Sequence, residues 1–431
     1  MAIAELQQSI TFRLFAVIVL TVALAVPIAM VWIVVELRSD YELEVANEIS
    51  QGWGSDQVVS GPFLHLQSRI PGAEHEDGST SQDHVQDYFF TPAEFTVQST
   101  SEHEIREKGI FKKPVFLSNI KISGKFAIDL DEFTVQRRLD PTTIESCGIV
   151  LAVSSSQAIR SLEGQMGVRP LHFEPANLQM QWQAEPIAAA LETTECSGGS
   201  FELALAVRGS NRQAIALVGN TSKVTMQSTW PHPKFKGRQL PDDHDISEGG
   251  FSAHWTSNAL ARGFASELDL DEWQGITDTS AVGFTYHDPI TVYRMVTRAV
   301  KYGFFVVGLT LLAVFCLEML SHAKIHPIQY GVVGAGLALF YLLLLSFSEH
   351  IGFPTAYVVA SSALTLLISG YSWFSTRNAR FAITVTVLLG TIYGALYLCL
   401  SSTDYALLIG SLMMVVLLIG LMFATRNLAN H

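Results

Sequence analysis

The stretch His326-Pro327-Ile328-Gln329-Tyr330-Gly331-Val332-Val333-Gly334-Ala335-Gly336-Leu337-Ala338-Leu339-Phe340-Tyr341-Leu342-Leu343-Leu344-Leu345-Ser346-Phe347-Ser348-Glu349-His350 decides how the rest of the chain is read. Between Pro327 and Glu349 it carries no charge. A helix of about twenty apolar residues reaches across the ~30 Å hydrocarbon layer of a bilayer. Similar runs follow or precede it at residues 302–320, 354–371, 381–400 and 405–424, and one more lies at residues 14–35. The pattern predicts a membrane protein with six transmembrane helices, one N-terminal and five C-terminal.

Residues 14–35 hold no charge, with Pro27 inside and Trp32 near the end. That run exceeds the roughly 7–15 residues of a cleaved secretory core, so it predicts an uncleaved signal-anchor helix. Leu37, Tyr41, Val45 and Ile49 recur every fourth residue and continue the helix as an amphipathic stalk, stopped by Gln51-Gly52-Trp53-Gly54. A second stalk precedes the C-terminal helices. There Val292, Met295, Val296, Ala299 and Val300 share one face, while Arg294, Arg298 and Lys301 take the other. The predicted domains are residues 1–37 (tail and anchor), 38–301 (a soluble domain) and 302–431 (a five-helix bundle).

Charge separates the same regions. Residues 38–301 hold 22 Lys+Arg against 35 Asp+Glu, whereas the rest holds five of each. An acidic surface repels nucleic acid over about a Debye length of 8 Å, which excludes nucleic-acid binding. Short alternating runs such as Phe201-Glu202-Leu203-Ala204-Leu205-Ala206-Val207, broken by Gly, Asn and Ser, predict antiparallel sheets folded face to face. The expected soluble domain is therefore β-rich and sandwich-like, an α+β fold with a few inserted helices such as residues 186–193. Residues 73–86 read as a loop whose His75 and His84 lack any metal-ligand spacing, and Trp230-Pro231-His232-Pro233 as a rigid loop with stacked rings.

Lys and Arg in the short loops set orientation. Arg13, Lys324, Arg377, Arg380 and Arg426 fall on one side, and the loops at 348–353 and 401–404 have none. Both termini are then cytoplasmic and the acidic domain lies across the membrane. In that compartment Cys147 and Cys196 are the only pair able to form a bridge inside the domain; Cys316 and Cys399 lie in apolar runs.

No phosphate-binding glycine loop, HExxH, Gly-x-Ser-x-Gly or Cys-x-x-Cys occurs, so no catalytic group, cofactor or metal is predicted. Glu318, His322 and His326 would share a face of one continuous helix, but Pro327 favours a fresh helix start and sends His326 into a turn. Glu318 is an acid inside a span, a functional candidate by default. Glu349 and His350 close the helix that starts at Pro327, at the opposite face of the membrane, and Arg294 or Arg298 are their expected partners. Gly390-Thr391-Ile392-Tyr393-Gly394 lets helix backbones approach, within the bundle or between copies in a homo-oligomer.

Several blocks together resemble the inner-membrane protein CreD family. They include Gly52-Trp53-Gly54, Lys108-Gly109-Ile110-Phe111-Lys112-Lys113-Pro114 and Arg208-Gly209-Ser210, then Ser228-Thr229-Trp230-Pro231-His232-Pro233 and Gly250-Phe251-Ser252-Ala253. In the C-terminal third they are Glu318, His326-Pro327-x-Gln329-Tyr330, Ser348-Glu349-His350 and Asp404-Tyr405-Ala406-Leu407-Leu408-x-Gly410-Ser411. The resemblance implies a Gram-negative inner-membrane protein tied to cell-envelope integrity and envelope stress. It implies no biochemical activity. Three functions stay open: a factor held in the lipid bilayer by its six helices and presenting its outer domain to a periplasmic protein or cell-wall partner, a transporter or channel component using Glu318 and Glu349, and an enzyme acting on lipid or cell-wall intermediates.

Overall fold

The computed structural model describes residues 10–401 apart from 71–81, 138, 141–142, 177, 179–184, 193–194, 271, 274–279, 287–291 and 322–324; beyond 401 it describes only 408, 411–412, 415, 419 and 422. The chain divides into two compact units, one formed by Met1–Glu44 with Ile290–His431 and the other by Val45–Pro289.

The first unit is helical. Its long helices are α1 (Ile10–Trp53, whose end belongs to the other unit), α2 (Val292–Ser321), α3 (Pro327–Ile351), α4 (Phe353–Thr376) and α5 (Ala379–Ser401). Among the described residues five helices, Phe15–Trp53, Val292–Met319, Pro327–Ile351, Phe353–Thr376 and Ala379–Ser401, are long and apolar enough to cross a membrane. The sixth expected span, residues 405–424, lies almost wholly outside the described residues. The unit boundaries fall at Glu44 and Ile290 instead of 37 and 302, because the second stalk packs with the bundle. Tyr293, Val296, Ala299 and Val300 are all buried.

The second unit is two sheets. A nine-stranded sheet runs through strands beginning at Pro233, Ala281, Arg212, Gln57, Ile144, Glu185 and Glu174, with His84–Phe90 branching from Gln57–Ile70 and Glu267–Leu268 pairing with His84–Phe90. An eight-stranded sheet runs through strands beginning at Asp243, Gly250, Thr221, Glu94, Phe111, Gly198, Ile159 and Arg169. Val59, Leu64, Ile149 and Phe284 of one sheet, and Phe95, Phe116, Ile120 and Leu203 of the other, meet in one shared core. At roughly 1.5–3 kcal/mol for each large apolar side chain buried, this core is the main stabilising term.

Three local readings change. Residues 186–190 are not helical: Glu185–Ala190 is a strand paired with Ile144–Val153, and the chance to bury Ile187 and Ala189 outweighs the helix preference of its alanines. The sheets are not wholly antiparallel, since Gln57–Ile70 runs parallel to Arg212–Ala216 and Thr221–Ser228 parallel to Glu94–Lys108. Of the expected loop at 73–86, His84 onward is strand, while His75 lies outside the described residues.

His65 gives this unit a pH dependence. Its Nε2 sits 2.7 Å from Asp87 Oδ1, and its ring stacks on Phe89, which stacks on Trp273. Burial pulls the imidazole below its ordinary value of 6.5, and the Asp87 hydrogen bond and charge offset this only in part. The unfolded chain therefore binds a proton that the folded chain refuses, and stability is expected to fall as pH drops below about 6.5. The melting temperature of the full chain in detergent should fall less between pH 7.5 and 5.5 in His65→Gln than in the parent. An equal fall in both would remove His65 as the cause.

Candidate polar clasps of the two units

In the helical unit the polar residues gather at two places. At one end of α3, His326 caps the helix: its Nδ1 accepts from Ile328 N at 3.3 Å, and Gln329 Oε1 accepts from His326 N at 3.1 Å. This reciprocal arrangement satisfies donors that the first turn leaves free, with Pro327 in its favoured position. Gln329 Nε2 then donates to Ser375 Oγ on α4 at 2.5 Å. The next residue, Tyr330, donates its hydroxyl to Glu318 Oε2 on α2 at 2.5 Å, and Glu318 Oε1 accepts from Ile325 N at 3.1 Å. Glu318 is only 3% exposed. Glu318, His326, Gln329 and Tyr330 thus form one cluster binding three helices.

His326 does not share a helix face with Glu318: it is the extended cap of α3, which starts at Pro327, and its exposed ring bonds its own helix. His322 lies outside the described residues. Among the described residues no group of three or more His, Cys, Asp or Glu is placed to hold a metal.

Glu349 sits at the other end of α3. Its Oε1 accepts from the Tyr293 hydroxyl at 2.8 Å, and Arg38 Nε stands 3.7 Å away. The partners seen thus come from both stalks, on α1 and α2. The hydrogen bond outweighs the ion pair, because Arg38 is half exposed and water screens it. His350 is exposed. Glu318's cluster and Glu349 are separated by the length of α3, about 1.5 Å for each residue, so they cannot make one site.

In the β-rich unit, blocks far apart in sequence meet where α1 ends. Gly54 takes φ +143, and its N–H returns to Ser50 O at 2.8 Å. A side chain there would strike Arg208 O, 2.8 Å from the Cβ position. Trp53 carries two guanidinium groups over its ring, Arg106 at 4.3 Å and Arg208 at 5.2 Å from the ring centre, and its Nε1 donates to Phe116 O at 3.3 Å. Ser210 donates from N to Ser55 O and from Oγ to Gly54 O. The two cation–π contacts also bring positive charge to the negative end of a helix, where it is favourable. Lys113 is buried too, which lowers its pKa against the pull of Asp56.

Behind this clasp a seam of polar groups crosses the core. Gln213 Nε2 donates to Ser99 Oγ at 2.6 Å and Ser118 Oγ at 2.7 Å, and Tyr286 OH donates to Ser101 Oγ at 3.0 Å. Burial pushes the Tyr286 hydroxyl up to about 12, so it stays a donor. Trp230 Nε1 donates to His232 O at 2.9 Å; the two rings meet edge to face at 6.4 Å and do not stack. Cys147 and Cys196 lie with sulfurs in bonding position and Cα atoms 5.8 Å apart. Sequence reasoning missed Gln213, Arg106 and Tyr286, because nothing local marks a partner fifty or more residues away.

These arrangements lock helices and strands together; none presents an aligned nucleophile and base. A sequence profile of the family described as inner membrane protein CreD matches residues 9–430. The chain is also similar to "Inner membrane protein CreD" of Escherichia coli (strain K12), 30% identical over 413 residues that cover 94% of this chain and 90% of that protein. The chain, with its apolar helices and β-rich unit, belongs to the CreD family of inner membrane proteins.

Proposed function

We propose that the chain is an envelope-integrity and envelope-stress factor: the helical unit anchors it in the inner membrane, and the β-rich unit faces the periplasm and binds a protein or cell-wall partner there. The observation that carries the reading is a cleft of about 820 Å³ at the free edges of both sheets. Ile159, Leu162, Phe173 and Ile187 form its apolar lining, with Arg160 and Glu185 beside them. An apolar cleft with a few polar groups is the usual form of a binding site. In this reading both termini are cytoplasmic, and Cys147 and Cys196 are bridged in an oxidising compartment.

Two measurements test it. With Cys316 and Cys399 replaced by alanine, Ser401→Cys should react with a membrane-impermeant thiol reagent in intact cells and Ala379→Cys should not; the reverse pattern overturns the orientation. A photo-crosslinking residue at Leu162 or Phe173 should capture an envelope component that one at the exposed Lys223 does not. Identical capture at all three sites would sink the cleft as the binding surface.

A further inference from the structure

The turn between α4 and α5 presents two cations that no nearby acid of the sequence neutralises. From residue 351 to residue 403 there is no Asp or Glu, and Arg377 and Arg380 are the only charged side chains. Both are exposed. The backbone that carries them is pinned. Gln329 Nε2 on α3 donates to Ser375 Oγ at 2.5 Å, and the Arg377 N–H closes the last turn of α4 on Trp373 O at 2.8 Å. Asn378 Oδ1 accepts from Arg380 N at 3.0 Å and Phe381 N at 3.3 Å. That cap takes two free donors of α5 and leaves an incoming anion to the guanidinium groups. Arg377 itself holds φ +53, at a helix end where glycine is the usual residue. Among the described residues Asn211 is the one other non-glycine residue at positive φ. A side chain kept at a strained position points to a use for it.

Its depth fits a lipid headgroup. Trp373 and Phe374, 51% and 69% exposed with ring centres 5.2 Å apart, stand on the last turn of α4, as aromatics at a membrane interface do. Arg377 follows Trp373 by four residues, about 6 Å along a helix, and the headgroup layer on each side of the hydrocarbon is roughly 5–7 Å deep. We infer that Arg377 and Arg380 bind the phosphate of an anionic glycerophospholipid. The two are three residues apart, at most about 11 Å of chain, so both long side chains reach one phosphate. A headgroup with an ammonium beside its phosphate would bring positive charge to a turn that has no carboxylate to receive it. One that carries only hydroxyls beside the phosphate brings none. The site needs only that α4 and α5 end at a membrane surface, on either side.

Native mass spectrometry tests this on the full chain, released from nanodiscs made of equal parts phosphatidylglycerol and phosphatidylethanolamine. The parent should retain phosphatidylglycerol in preference, and Arg377→Gln and Arg380→Gln should each lower that preference about fivefold. Lys223→Gln, on the β-rich unit, should keep it. Arg377→Gly separates binding from folding: glycine relieves the strain, so this variant should melt no lower than the parent in detergent and still lose the preference. If it melts lower, Arg380→Gln, which leaves the backbone of the turn unchanged, decides alone. Equal retention of both lipids by the parent, or an undiminished preference in the arginine variants, would overturn the inference. Displacement of the phosphatidylglycerol by excess inorganic phosphate would overturn it too, in favour of a site for a free anion.

Discussion

Glu318→Ala is expected to destabilise the helical unit by about 2–6 kcal/mol, since two buried donors, the Tyr330 hydroxyl and Ile325 N–H, lose their acceptor together at roughly 1–3 kcal/mol each. Glu318→Gln keeps an acceptor oxygen and should lose less. Tyr330→Phe removes one donor with its acceptor still held by Ile325, and combining it with Glu318→Ala should cost less than the two single losses together, because they share an interaction. Unfolding midpoints in mixed micelles measure all four forms. An unchanged midpoint in Glu318→Ala would show that the cluster does not hold the helices. A proton relay predicts something different again: Glu318→Gln would fold as the parent does and still lose the envelope phenotype. The observed geometry favours the clasp, because each oxygen of the carboxylate already has a fixed donor within the bundle.

How much of this was legible follows from the range of the signals. The apolar runs and the stop at Gly52-Trp53-Gly54 are local: hydropathy and backbone freedom act on neighbouring residues, and α1 does end at Trp53 with Gly54 at positive φ. The break between α2 and α3 was legible too, because proline's missing N–H acts at one position. Glu318 could be singled out as an acid in an apolar run, but Tyr330 as its partner depends on two helices crossing. The β-rich unit was harder. Alternation reports which face of a strand is buried and is silent on its neighbour, so the parallel pairing of Gln57 with Gln213 could not be read. The alanines of Glu185–Ala190 misled for a related reason: their intrinsic preference is a few tenths of a kcal/mol, which a sheet position with two burial sites overrides. The blocks that mark the family did point to Trp53 and Arg208, without saying that they meet.

Removing the link between Cys147 and Cys196 is the other large effect. The bridge would close a loop of 49 residues, and the chain-entropy account gives about 3–4 kcal/mol for a loop of that length. It joins the strand Ile144–Val153 of the nine-stranded sheet to the segment that leads into Gly198–Ser210 of the eight-stranded sheet. Both cysteines are buried, at 6% and 1% exposure. The connection between them is held in the folded state by other means as well, since Arg169 pairs with Glu192 and Glu195 at 3.0 and 2.9 Å. Cys147→Ala with Cys196→Ala should therefore keep the fold and lose stability chiefly through a freer unfolded chain. The expected result is a lower melting temperature in the double variant, matched by the reduced parent and unaffected by further reductant. Alkylation supplies the check: protein purified from the envelope and denatured without reductant should leave both thiols unlabelled. If both are labelled quantitatively, the bridge is absent and the stability argument built on it fails.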